Sequence, residues 1–120
     1  MHGKLASVRP VVSRVHDLSP LTPVQGCVVR SVSLSGVMMT FMEFEKGTSI
    51  PEHRHPHEQI TYLVSGRMEL WIEGVTHVLR AGDVAAIPSN VPHRALCTER
   101  CVAIDSWNPI REDYRPKDPT

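Results

Sequence analysis

The chain has 120 residues and a mass of 13.4 kDa, with 13 basic and 13 acidic side chains, a formal net charge of zero and 41% hydrophobic residues. This is one domain able to bury a single core, too apolar and too evenly charged to be a disordered tail, and its lack of positive surplus removes the usual drive toward nucleic acid or an anionic membrane. The longest nearly apolar stretch, Gly36 to Phe44, is broken by Thr40 and Glu43 and is far shorter than a bilayer requires.

Lys4 and Arg9 are followed by no apolar run or small-residue cleavage site, so a cytoplasmic protein without a signal peptide is expected. Residues 1–20 are weakly patterned and read as an N-terminal arm. Ten prolines and seven glycines cut the rest into short pieces, none with a capped 3.6-residue apolar period. In chain order the pieces read as strands over 26–32, 37–45, 59–64, 67–73, 76–80, 84–87, 93–97 and 100–107, about eight in all. Ser65-Gly66, Glu73-Gly74 and Ala81-Gly82-Asp83 mark tight turns between strands expected to pair antiparallel. In Arg67 to Glu73 the alternation is clean, Met68, Leu70 and Ile72 on one face and Arg67, Glu69, Trp71 and Glu73 on the other. Many short strands without long helices give an all-β sandwich or barrel over 21–110, followed by a charged tail over 111–120 that carries Pro116 and Pro119.

Histidine is the unusual entry in the composition. Four of the seven (His53, His55, His57, His93) sit beside punctuation residues. His53 and His55 are one residue apart, so on a strand they leave the same face; Gln59 follows a bend at Pro56, and His93 comes from a distant strand. Three imidazoles and an amide oxygen suit a divalent transition ion such as nickel, manganese, iron, cobalt or zinc, against the plain alternative of a chance surface cluster. Pro56 breaks the alternation before His57, which is read as a rim residue. His2, His16 and His77 are read as surface residues. The three cysteines (Cys27, Cys97, Cys101) have neither disulfide-framework nor zinc-site spacing and read as reduced, half-buried thiols.

Gly47, five residues, His53-Arg54-His55, three residues, Gln59, six residues, Gly66 resembles the first signature of the cupin superfamily, with Gln59 where Glu is usual. Gly82, five residues, Pro88-Ser89-Asn90, two residues, His93 resembles the second, with Asn90 in place of Gly and Cys97 where the signature ends in Asn. The resemblance implies a small antiparallel jelly-roll β-barrel with a metal in its mouth, held by His53, His55, Gln59 and His93. A neutral Gln leaves the charge of the ion uncompensated, which favours Lewis-acid chemistry on anionic oxygen substrates over redox turnover. Gly66 and Gly82 are assigned to left-handed turns and Pro88 to a strand exit.

Near the C-terminus Asp105 shares a strand face with Ala103 and Trp107. A carboxylate among apolar neighbours is an acid–base candidate, or marks only a strand end; Arg111 is suited to a substrate carboxylate, or to a surface pair with Glu112 or Asp113. The run His53 to Ile60, followed by Asp105-x-Trp107-x-Pro109-x-Arg111-Glu112-Asp113, is similar to the pectin-degradation cupins, which linearise 4,5-unsaturated monouronates. That resemblance implies Asp105 in catalysis, Arg111 in substrate binding, and Trp107, where Phe is common, as an aromatic wall. A non-catalytic metal- and sugar-binding module and an oxidative cupin dioxygenase stay open beside it. A homodimer is expected, because a short barrel leaves sheet edges to cover and small cupins of this appearance commonly pair.

Overall fold

The computed structural model describes residues 8–116. Nine strands form two antiparallel sheets: β1 (Cys27–Ser33), β2 (Met38–Phe44), β3 (Ser49–His53), β4 (Glu58–Ser65), β5 (Arg67–Ile72), β6 (Val75–Arg80), β7 (Val84–Ile87), β8 (His93–Cys97) and β9 (Cys101–Asn108). One sheet has the order β1-β2-β9-β4-β7 and the other β3-β8-β5-β6, which makes the all-β jelly-roll expected. No described helix is long and apolar enough to cross a membrane.

The additional strand is β3, whose Ser-Ile-Pro-Glu-His sequence lacks apolar alternation; pairing with β8 makes it a strand. A second correction concerns the turn at Ser65-Gly66. β4 and β5 do not pair, since the chain crosses there from one sheet to the other, and it crosses back at Ala81-Gly82-Asp83, so β6 and β7 do not pair either. Gly66 has φ +96°, and a Cβ at that position would collide with the Arg100 carbonyl oxygen, so both conformation and space call for glycine. Asn90, where the second signature usually has Gly, has φ +63°, a left-handed conformation that Asn tolerates better than other side chains.

Alternation determines what fills the barrel. Val29, Met42, Phe44, Leu63, Met68, Leu70, Leu79 and Ile87 are buried between the sheets, and Cys27, Cys97 and Cys101 are buried with them rather than half-buried. Along the inward face the composition changes from one end to the other. Strand β4 runs inward from Leu63 through Thr61 to Gln59, and β9 from Ala103 through Asp105 to Trp107. Register places Thr40, Asp105 and Thr61 in one row across β2, β9 and β4, and Met38, Trp107, Gln59 and Ile87 in the next. One end of the barrel is therefore a hydrophobic plug and the other a polar mouth.

The ends of the chain behave differently. Residues 8–14 are exposed and carry no regular secondary structure, and Leu21 bridges to Val29. Residues 111–116, expected as a tail, fold back: a short 3-10 turn, Glu112–Tyr114, lets the Ser31 hydroxyl donate to the Tyr114 carbonyl at 2.9 Å and packs the Tyr114 ring against the core.

Candidate metal centre and active site

His53 is the last residue of β3 and pairs directly with His93, the first residue of β8. Their ring centroids lie 4.3 Å apart. His55 lies beyond the strand, so the expectation that His53 and His55 share a strand face is corrected: a loop, not strand alternation, returns the second ring. It sits 5.4 Å from His53 and 5.0 Å from His93, centroid to centroid. One nitrogen from each of the three lies within 4.8 Å of the others, a group able to hold a metal ion.

Each ring is oriented by its own backbone neighbourhood. Nδ1 of His53 donates to the Pro51 carbonyl (2.9 Å), Nδ1 of His55 to the His57 carbonyl (3.1 Å) and Nδ1 of His93 to the Val91 carbonyl (2.9 Å). A carbonyl only accepts, so each Nδ1 carries a proton, and in the neutral form of a ring so held the lone pair is on Nε2. Burial holds the His55 and His93 imidazoles below their ordinary value, with the Arg111 charge and the neighbouring histidines adding to it. Nε2 of His93 is buried without a partner, and Nε2 of His55 lies 3.1 Å from Gln59 Oε1, which also has only lone pairs to offer. Acceptors facing one another with their protons turned outward form a donor set for a cation.

Gln59 is locked by its other end. Its Nε2 donates to Thr61 Oγ1 at 3.0 Å and to Asp105 Oδ2 at 3.1 Å, which uses both amide protons and leaves Oε1 facing the imidazoles. Asp105 is 4% exposed, and its Oδ1 is buried with no partner. Burial raises the carboxyl to about 7, against hydrogen bonds from Thr61 and Gln59 and the charge of Arg111. Of the two readings of Asp105, strand-end marker or buried acid, the structure has the second. His53, Gln59, Thr61, His93, Asp105 and Arg111 all line one cavity of ≈ 60 Å³ at the mouth of the barrel.

Trp107 and Arg111 reach this cavity in a different way from that expected. Trp107 is 3% exposed, its Nε1 donates to Thr40 Oγ1 at 3.0 Å, and His55, His57 and Tyr114 pack around its ring. Trp107 lines the cavity with little of its face exposed, and it stands as a buttress behind the histidines. The Arg111 guanidinium lies 4.8 Å from the Trp107 centroid and 4.0 Å from that of Tyr114. Its fork is already formed, Nε to Asp113 Oδ1 at 3.1 Å and Nη2 to Oδ2 at 2.7 Å. Partial burial raises the Asp113 carboxyl, but the Arg111 pairing outweighs this and holds it below its ordinary value. Two of the five N–H groups of Arg111 are thus taken, and the edge formed by Nη1 and the second proton of Nη2 remains.

The decisive comparison is with sequence families. Residues 40–107 match the model of the Cupin domain family, more than half of the chain. The chain belongs to the cupins. It is similar to the pectin degradation protein KdgF of Dickeya dadantii (strain 3937), 35% identical over 80 residues that cover 65% of this chain and 73% of that protein. Among solved structures, an RmlC-like cupin from Shewanella frigidimarina NCIMB 400 superposes with a TM-score of 0.84 at 28% identity, over 90% of this chain and 98% of that one. KdgF from Halomonas sp. superposes with a TM-score of 0.81 at 27% identity, over 88% and 98%.

Sequence reasoning missed three residues of this cupin's site. Thr61 stands two residues from Gln59 on the same face of β4, and strict alternation from Gln59 would have found it. Thr40 and Tyr114 act through partners distant in sequence. His57, read as a rim residue, falls outside the group that can hold a metal; its carbonyl accepts from His55 instead.

Proposed function

We propose that this cupin linearises a 4,5-unsaturated monouronate, using one divalent transition ion held by His53, His55, Gln59 and His93. The observation that carries the reading is Asp105, a buried carboxyl with one unpartnered oxygen in the wall of the cavity that His53 and His93 also line. A shell that only held metal would use its Oδ2, which fixes Gln59, and would have no use for the unpartnered Oδ1. The pectin-degradation name of the relative at 35% identity supports the substrate class.

When bound, the ion supplies Lewis-acid polarisation of the sugar oxygens beside it. Everything else falls to the chain. The cavity of ≈ 60 Å³ admits one functional group rather than a whole ring, so the reacting end of the sugar enters and the remainder stays at the mouth. The free edge of Arg111 takes the substrate carboxylate in a second fork, the rings of Trp107 and Tyr114 fixing the guanidinium plane. Asp105 takes the proton of the anomeric hydroxyl. The bond from the anomeric carbon to the ring oxygen breaks, the ring oxygen keeps the electron pair as an enol, and a proton returned to the double-bond carbon remote from the carboxylate gives the linear ketone. The reaction is an isomerisation and needs no oxidant. A carboxyl near neutrality suits both halves of that transfer, and a neighbouring cation draws it further toward the base.

The test is to load the protein with each divalent ion in turn, add unsaturated galacturonate and follow ring opening by NMR against the spontaneous rate. Acceleration with at least one ion is expected. No acceleration in any metal form would leave a metal- and sugar-binding module.

A further inference from the structure

We infer that Ser31, a residue of β1 that does not line the cavity, is a positioning residue for Arg111: its hydroxyl fixes the C-terminal turn that carries the guanidinium to the mouth of the barrel. The inference rests on the reading of Arg111 as the group that takes the substrate carboxylate.

The inner row that contains Asp105 extends across one more strand. Ser31 pairs with Thr40, Thr40 with Asp105 and Asp105 with Thr61, so four polar side chains cross β1, β2, β9 and β4 in one line, each 9% exposed or less. The row beneath is apolar, Val29, Met42, Ala103 and Leu63, and a buried hydroxyl above it needs a partner. Each of the three hydroxyls fixes a different part of the site. Thr61 Oγ1 accepts from Gln59 Nε2, Thr40 Oγ1 accepts from the Trp107 indole, and Ser31 Oγ donates to the Tyr114 carbonyl at 2.9 Å. The first holds the amide donor, the second the ring behind the histidines, and the third the turn that bears Arg111.

Arg111 needs an anchor of this kind because its own segment supplies none. Of the residues that line the cavity, Arg111 and Tyr114 alone come from outside the sheets; the others sit on strands held by their neighbours. Hydrogen bonds within the segment are local. The Tyr114 N–H donates to the Arg111 carbonyl (3.0 Å), the Arg115 N–H to that of Glu112 (3.2 Å), and the Arg111 side chain pairs with Asp113. A 3-10 turn as short as Glu112–Tyr114 does not hold itself in water. Among the described residues, the hydrogen bond that joins the barrel to 110–116 is that of Ser31, and the contacts of Tyr114 and Arg111 with Trp107 complete the attachment. A ring contact tolerates sliding along the ring, whereas a hydrogen bond fixes a distance and a direction. Ser31 Oγ therefore sets where the turn rests, and the bond from the Tyr114 N–H to the Arg111 carbonyl passes that placement to the guanidinium.

The test reads the turn and the ligand separately. In the ligand-free protein, amide hydrogen exchange of Tyr114 and Arg115, followed by NMR, should quicken about tenfold in Ser31→Ala, which leaves the Tyr114 carbonyl without its donor. Ser31→Thr keeps the hydroxyl and should return exchange toward the wild-type rate. With galacturonate as the probe, calorimetry should find affinity about tenfold lower in Ser31→Ala, and no such loss for galacturonate methyl ester, which lacks the charge. On an Arg111→Lys background Ser31→Ala should cost nothing further, as expected if it acts through the guanidinium. In turnover of unsaturated galacturonate by the metal-loaded protein, the loss should fall on KM with a smaller change in kcat. Unaltered exchange in Ser31→Ala, or faster exchange with wild-type affinity for galacturonate, would overturn the inference. A wild type that binds galacturonate no better than its methyl ester would instead overturn the role of Arg111 and with it the substrate half of this inference, while the exchange rates decide whether Ser31 holds the turn.

Discussion

Gln59 Nε2 donates to Asp105 Oδ2 at 3.1 Å, and this contact decides which end of the amide meets the imidazoles. The residue that holds the fourth donor in place is the same residue that the proposed reaction uses to move a proton. In the proposed function metal binding and proton transfer are therefore coupled through one side chain, and variants of either residue should report on both.

The donor set itself is tested by removing imidazoles. His53→Ala with His93→Ala deletes two of three rings, and elemental analysis should find the ion lost; wild-type stoichiometry would defeat the site. Gln59→Glu behaves otherwise. It keeps an oxygen for the ion but cancels one positive charge, loses the donation to Asp105 and sets two carboxyls side by side. Metal should be retained while affinity for a uronate falls about tenfold, roughly 1.4 kcal/mol. Calorimetry with galacturonate reads this directly, and an unchanged affinity would count against the electrostatic argument.

Asp105→Asn preserves shape and still offers an oxygen to Gln59 Nε2, so fold, metal and substrate binding should persist. Turnover should drop about a hundredfold or more, because an amide neither takes nor returns the proton. Single-turnover NMR on the metal-loaded variant separates the two effects. Ring opening at the wild-type rate would remove Asp105 from the chemistry and leave it as the positioner of Gln59.

The parts of this site legible in the sequence are those written in strand alternation and motif spacing. Asp105, Ala103 and Trp107 share the inner face of β9 as the period of two requires, and Met68 and Leu70 are buried on β5 while Glu69 between them faces outward. What escaped depends on tertiary partners. Strand β3 contains Pro51 and is defined by β8, not by its own pattern. Trp107 could be placed on the inner face, but its indole N–H is satisfied by Thr40, 67 residues earlier. Tyr114 sits in a charged stretch whose return to the barrel rests on a hydroxyl 83 residues earlier, that of Ser31. The Arg111 pair with Asp113 was legible as one of two fates. The structure shows that both fit one guanidinium, since a fork to Asp113 leaves a second edge free.

That shared use of Arg111 separates two variants. Arg111→Lys keeps the charge but cannot reproduce two parallel hydrogen bonds on either side, so KM for a uronate should rise tenfold or more with a smaller change in kcat. Asp113→Asn leaves the guanidinium intact and releases only its outer fork. KM should rise by a smaller factor, and Asp113→Glu should restore part of it. Equal effects of Asn and Glu at this position would show that Asp113 does not orient Arg111.

The last prediction concerns the plug at the other end of the barrel. Burial raises the Cys27 thiol to about 12, with the Asp105 charge adding to it, and burial also raises Cys97 and Cys101. At pH 8 a thiol at about 12 is thiolate in roughly one molecule in ten thousand, about a thousandfold less than an ordinary cysteine, and it lies out of reach as well. A disulfide reagent should therefore find no fast-reacting thiol in the native protein and three after unfolding in urea. The stability sign follows from the same shift. Below the unfolded value of 9.0 both states hold the proton and pH has no effect through this group. Between 9.0 and about 12 the unfolded chain releases a proton that the folded one keeps, so stability falls by about 1.4 kcal/mol per pH unit for each such group. Tyr114, raised by burial to about 12, adds in the same direction above its ordinary value of 10.0. Urea midpoints measured from pH 8 to 11 should decline, and Cys27→Ala should decline less steeply than wild type. Parallel curves would mean that Cys27 is not the buried neutral thiol described.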